Sequence, residues 1–168
     1  MKLLDYFFAF RRKVLAYFLI IIVLAMVIAV FWQVLTRIAF KAPAVWTEET
    51  STYLLMWCGV IGAAYAYGEK AHVGMEYFAQ KLDKRKGKIL ELIITVLMAY
   101  FAIQIFIMGG INFVRNAFVN GQTSPTMNIP TGYLYLCLPI SGFFILSFCL
   151  EFFIEDLKLL LELKGDAK

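Results

Sequence analysis

One histidine, three cysteines and a pair of adjacent glutamates are the side chains here with the most chemistry to offer. His72 stands alone, and bis-histidine haem needs two axial imidazoles per iron, so the chain is not a self-contained cytochrome of that type. Metal centres draw on three or four ligands, and a lone histidine with scattered cysteines cannot supply them; no metal or other cofactor is expected. Cys58, Cys137 and Cys149 lie within or beside apolar runs, without a CxxC pair, and read as small buried hydrophobes. Ser141-Gly142 follows Pro139-Ile140 in an apolar run, but a serine nucleophile needs a base, and the sole histidine lies elsewhere in the sequence. Glu48 and Glu49 sit at the edge of an apolar run. A carboxylate working as a proton or ion carrier would sit near the middle of one. The residue types and their spacing therefore exclude most enzymatic chemistry.

The elements that must position these residues are membrane helices. Hydrophobic residues make up 62% of the 168, well above the roughly 45–50% usual in soluble domains. Mean hydropathy is +0.76. Val14–Thr36, Thr50–Gly68 and Leu92–Val114 contain no charged residue, and a fourth charge-free run ends at Glu151. A spanning helix needs about 20 apolar residues. The sequence thus predicts an all-α membrane protein of one four-helix domain over 1–168, with spans at about 14–36, 50–68, 92–114 and 129–150. The first apolar run has 23 residues, longer than the 7–15 of a signal-peptide core, so it reads as a retained span.

Charge asymmetry sets the orientation. Thirteen of the sixteen Lys and Arg residues fall in the N-terminus, the loop after the second span and the C-terminal tail; Arg37, Lys41 and Arg115 form the remainder. The positive-inside rule puts both termini and the middle loop in the cytoplasm. The net charge of +4 is sorted by membrane side, which is not a nucleic-acid signature. Residues 71–84 interleave apolar and polar side chains and suggest a short helix lying in the membrane interface. Lys84, Arg85, Lys86 and Lys88 would then face lipid headgroups, with Gly87 separating them from the third span. Thr47 is the expected N-cap of the second span, with Glu48 and Glu49 in its first turn. Trp46 suits an interfacial belt, and Tyr53 and Trp57 share a packing face. Gly59 with Ala63, and Gly62 with Ala66, form small-xxx-small pairs that predict a face buried in protein. Gln33, Thr95, Gln104 and Asn112 are expected to hydrogen-bond between helices. Pro139 is expected to kink the fourth span.

From Arg37 the sequence reads RIAFKAPAVWTEETSTYLLMWCGVIGAAYAYGEKAHVGMEYF. This stretch resembles the small membrane subunit, the DctQ-like or Q subunit, of tripartite ATP-independent periplasmic (TRAP) transporters. Arg37, Pro43, Trp46, Glu48, Glu49, Trp57, Gly62, Ala63, Ala64, Gly68, His72 and Val73 carry the likeness, and the four-span layout extends it over the chain. The resemblance implies a bacterial inner-membrane scaffold in a secondary-active importer of organic acids. A periplasmic binding protein would deliver the solute. A large membrane subunit would hold the substrate and sodium sites and move as an elevator. Glu48 and Glu49 would pair with the large subunit, dock the binding protein, or only cap their helix. Arg37 would pair with one of them, and His72 would contact headgroups or a partner. A stand-alone small transporter and a redox-complex anchor are the competing readings; the absent mid-membrane carboxylate opposes the first, and the single histidine the second.

Overall fold

The computed structural model describes residues 2–41, 44–70 and 84–165, with side chains at 9–41, 44–70 and 86–160. The elements, in chain order, are α1 (Lys2–Phe40), α2 (Val45–Gly68), α3 (Lys84–Phe101), a π-helical segment π1 (Ala102–Gly109), α4 (Gly110–Val119), a single turn α5 (Gly132–Tyr135) and α6 (Cys137–Gly165). Among the described residues no strand forms; the one bridge joins Thr123 to Pro130. α1 packs on α2, α2 on α6, and α6 on α3, π1 and α4. The order across the bundle is therefore α1, α2, α6, then the α3–π1–α4 rod.

Three helices are long and apolar enough to cross a membrane: Ala9–Phe40, Lys86–Val119 and Gly132–Leu160. Their outward faces carry large apolar side chains, such as Ile20, Ile21, Leu24, Ile28 and Phe31 on α1. Lipid tails are as apolar as leucine, so such faces cost nothing there, and helix contact relies on close packing. α2 is the fourth helix. It has 24 residues, about 36 Å at 1.5 Å per residue, and lies between α1 and α6. Its first turns carry four hydroxyls, each returned to its own helix. Thr47 Oγ1 donates to the Ala44 carbonyl at 2.6 Å, Thr50 to Trp46 at 2.7 Å, Ser51 to Thr47 at 2.9 Å and Thr52 to Glu48 at 3.0 Å. This back-bonding removes the cost of carrying hydroxyls into an apolar layer.

Close approaches at glycines hold the bundle together. A Cβ on Gly142 would stand 2.7 Å from Phe106 Cβ, and one on Gly110 2.8 Å from Leu138 Cβ, which fixes π1 and α4 against the start of α6. Gly68 faces the Phe148 ring at 2.4 Å from such a Cβ. Ser141, fully buried, donates to the Val60 carbonyl at 2.9 Å and ties α6 to the middle of α2. The core cluster of Leu15, Ile61, Ala64, Tyr67, Ala102, Ile145, Phe148, Cys149 and Phe152 brings in four of these elements.

Several expectations are corrected. Pro139 lies in the first turn of α6, where a missing N–H is tolerated, and the helix is interrupted at Leu136, three residues before it. Gly87 is buried within α3 and separates nothing. Thr47 is not the N-cap of α2; Ala44 holds that place without a side-chain bond. Gly59 and Ala63 are not buried within this chain, since both are exposed and a Cβ on Gly59 meets nothing within 4 Å. Gln104 and Asn112 also face outward, whereas Thr95 is buried. Of the three cysteines, Cys137 and Cys149 are buried and Cys58 is half-buried. The interfacial helix expected at 71–84 lies outside the described residues except for Lys84, where α3 begins.

The glycine contacts give a direct test. Gly142→Ala and Gly110→Ala should each cost about 1–3 kcal/mol through forced repacking, read as a lower unfolding midpoint in detergent. Gly59→Ala in the isolated chain should leave that midpoint unchanged.

Candidate functional site

Polar chemistry concentrates at the two ends of the bundle. At the end marked by Arg37, α4 closes with Gly121 at φ 59, where a Cβ would be strained. Gly121 N–H donates to the Phe118 carbonyl at 3.1 Å and Gln122 N–H to Ala117 at 3.0 Å. This is a Schellman closure, and it starts the loop at a fixed angle. The loop then folds on itself through Ser124 N–H to the Ile129 carbonyl, 2.9 Å, and Thr131 N–H to the Gln122 carbonyl, 2.9 Å. Glu49 secures it from α2. One carboxylate oxygen accepts the Thr126 and Met127 N–H groups at 3.0 and 3.2 Å, and the other accepts the Tyr53 hydroxyl. The Tyr53 hydroxyl outweighs desolvation and, with smaller help from Ser124 and Thr126, holds the Glu49 carboxyl below the usual carboxylate range.

The opposite end is ionic. Glu151 on α6, 4% exposed, is paired through both oxygens: Oε2 with Arg11, 5% exposed, and Oε1 with Arg12 at 2.9 Å. The Arg11 guanidinium lies 4.1 Å from the centroid of the Phe148 ring. That ring in turn fills the space left by Gly68 on α2. One ion pair thereby locks α1, α2 and α6. Lys88 on α3 bridges Glu91 and Asp156, the latter at 3.1 Å, and brings α3 to α6. Lys70, just past α2, pairs with Glu155 at 3.0 Å and lies over the Phe152 ring. Tyr67 and Cys149 share a buried contact at 3.3 Å.

Between these ends lie two open apolar grooves. One, of about 630 Å³, runs between α1 and α2 beside Val30, Phe31, Thr52 and Leu55. The other, of about 360 Å³, is bordered by Phe18, Tyr53, Trp57 and Met127. Neither is lined by an ionisable carboxylate or amine, and the Thr50 and Tyr53 hydroxyls are already bonded within the chain. Among the described residues, no group of three or more metal-ligating side chains forms.

The sequence candidates divide accordingly. Glu49 is an internal clasp, and Glu48 is exposed in the first turn of α2. Arg37 is exposed, and no ion pair joins it to either glutamate among the described residues; Glu49 is taken by Tyr53 and the loop. Trp46 is half-exposed, and Trp57 packs on the Phe18 ring at 6.1 Å. Gly62 meets Leu19 at 4.0 Å, and Ala66 is half-buried. Lys88 does not point to headgroups but holds α3 to α6, and Lys86 is exposed with contacts of its own. The side chains of Lys84 and Arg85, and the whole of His72, lie outside the described residues. Sequence reasoning missed Arg11, Glu151 and Asp156 as partners. Their signal was an acid closing a long apolar run and a basic pair opening another.

Two outcomes follow. Glu151→Ala strands a buried guanidinium and should cost about 3–5 kcal/mol, seen as loss of the folded bundle in detergent, whereas Glu155→Ala, at an exposed pair, should be nearly silent. Glu49 has a folded value below its unfolded one, so its contribution is full above the ordinary carboxylate range and disappears as pH falls through the folded value. Hydrogen exchange at the Thr126 and Met127 amides should therefore accelerate in acid beyond the intrinsic trend, and Glu49→Gln should remove most of that pH dependence.

The sequence is similar to those of known proteins. Residues 26–159 match the family described as tripartite ATP-independent periplasmic transporters, DctQ component. The sialic acid TRAP transporter small permease protein SiaQ of Vibrio cholerae is 31% identical over 145 residues, 85% of this chain and 81% of that protein. The C4-dicarboxylate TRAP transporter small permease protein DctQ of Rhodobacter capsulatus is 31% identical over 98 residues, 58% and 43% of the two chains. The sialic acid TRAP transporter permease protein SiaT of Haemophilus influenzae is 26% identical over 156 residues, covering 74% of this chain and 24% of that longer one. These relatives are transporter subunits and not enzymes, and the chain belongs to the DctQ family of TRAP transporter small permease subunits.

Proposed function

We propose that this chain is the static membrane scaffold of a sodium-coupled TRAP importer for an organic acid. All four helices cross the bacterial inner membrane, α2 included, with both termini and the 71–84 segment on the cytoplasmic side. The ionic end of the bundle then faces the cytoplasm, and the Glu49 clasp faces the periplasm. The large transport subunit carries the substrate and sodium sites, and a periplasmic binding protein delivers the solute. Relatives named for sialic acid and a C4-dicarboxylate support an organic acid as the cargo.

The carrying observation is the open face of α2. Glu48, Thr52, Leu55, Gly59 and Ala63 lie three or four residues apart and are exposed, although α2 itself is packed between two helices. α2 is also the helix that falls short of the apolarity of the other three. A face of small and hydroxyl-bearing residues suits contact with another protein helix better than contact with lipid. The large subunit is the occupant this reading requires. The match to a quarter of a longer permease supports close placement of the two units. Gly62 and Ala66 border that face, Arg37 and Glu48 are its polar contacts at the periplasmic edge, and His72 serves at the cytoplasmic edge.

Co-expression with the cognate large subunit is the test. The two should co-purify, and liposomes holding both, supplied with binding protein, should take up solute under a sodium gradient. Gly59→Leu with Ala63→Leu should reduce co-purification while the isolated chain keeps its unfolding midpoint. Full uptake by the large subunit alone would overturn the scaffold role. Single cysteines at Lys13 and Pro125 should be labelled from opposite faces of intact cells.

A further inference from the structure

The ionic end of the bundle holds a donor with no partner among the described residues. Glu151 accepts through both oxygens, from Arg11 and from Arg12 Nη2 at 2.9 Å. Arg12 Nε–H is buried and has no acceptor among the described residues. The neighbouring carboxylates are committed elsewhere, Glu155 to Lys70 and Asp156 to Lys88. A buried donor without a partner in a native structure calls for a water or an ion. Charge selects between the two. Two guanidinium groups face a single carboxylate, with the Arg12 group 6.0 Å from the centroid of the Phe148 ring that Arg11 already covers. Lys13 follows at an exposed position. An anion is favoured over water beside such a pair.

Position identifies the anion. Arg12 and Lys13 immediately precede the charge-free run that begins at Val14, so they stand where α1 leaves the hydrocarbon. The Arg12 side chain is 34% exposed, which leaves a way in from the membrane surface. At that depth the abundant anion is a lipid phosphate, and guanidinium groups bind phosphate through paired N–H donors. We propose that Arg12, with Lys13, holds the phosphate of an anionic phospholipid headgroup at the base of α1, where it completes the Arg11–Glu151–Arg12 cluster. The inference needs only that α1 crosses the membrane, and it stands whether or not α2 meets a large subunit.

The full chain in a neutral detergent is titrated with short-chain phosphatidylglycerol, with phosphatidylcholine and with inorganic phosphate. Binding is read by native mass spectrometry and by the lipid-induced rise in unfolding midpoint. Phosphatidylglycerol should bind at one site, roughly tenfold or more tighter than phosphatidylcholine, as a charge-assisted contact allows. Arg12→Gln should abolish that preference, and Arg12→Lys should restore part of it. If Arg12→Gln does not fold, Lys13→Gln should still weaken phosphatidylglycerol binding in a folded chain, while Lys158→Gln should leave it intact. Equal binding of the two lipids by the wild type would overturn the proposal. So would an Arg12→Gln protein that folds and keeps the preference, or inorganic phosphate that binds as tightly as the lipid.

Discussion

A charge taken into a membrane protein must carry its counter-charge with it, and the Arg11–Glu151 pair is where this fold meets that demand. Both side chains are nearly inaccessible, so neither is stabilised by water. Breaking such a pair strands the survivor, which makes the pair a constraint on where α1 can sit relative to α6. The Phe148 ring under Arg11 extends the constraint. It occupies the space at Gly68 and stacks toward Phe152, so α2 is drawn into the same lock. Elsewhere α1 relies on α2 for its packing, and much of its surface is apolar and uncovered. Without the ionic tie, little would fix α1 against α6.

The two ends are built by different means. Charge pairs dominate near Arg11, where Lys88, Lys70 and Arg12 each meet an acid on α6. Near Arg37 the work is done by backbone donors: one carboxylate, Glu49, gathers two loop N–H groups and a tyrosine hydroxyl. The difference follows from the sequence distribution. From Asn116 to Leu150 there is no charged residue, so the loop at that end has no salt bridge to form and must be ordered through its own amides. An acid on a neighbouring helix is then the strongest acceptor within reach.

Much of this architecture is legible in the amino-acid sequence. Runs of apolar residues bounded by basic clusters give helices, and the helices appear where the runs are, although α1 and α6 continue well past them. What the sequence conceals are relations between distant residues. Glu49 resembles a helix cap or a partner contact, because nothing local indicates that residues 126 and 127 will present their amides to it. Gly87 and Pro139 look like breakers, yet both sit in helix, since Gly87 is packed and Pro139 falls in a first turn. Gly59 and Ala63 carry the right local pattern for a contact face, but periodicity alone does not say whether this chain or another fills it.

That last ambiguity bears on the proposed scaffold role. Under that proposal, a transport domain that moves needs a neighbour that does not deform. Resistance to deformation comes from close approach and from paired charges, and here the backbones meet at Gly110 and Gly142 while the acids of α6 draw in each long helix. Every internal polar group used for this purpose is unavailable for carrying an ion. A bundle locked in this way is poorly suited to alternating access and well suited to bracing a partner that performs it. The open side of α2 is the small-residue surface that the lock leaves free.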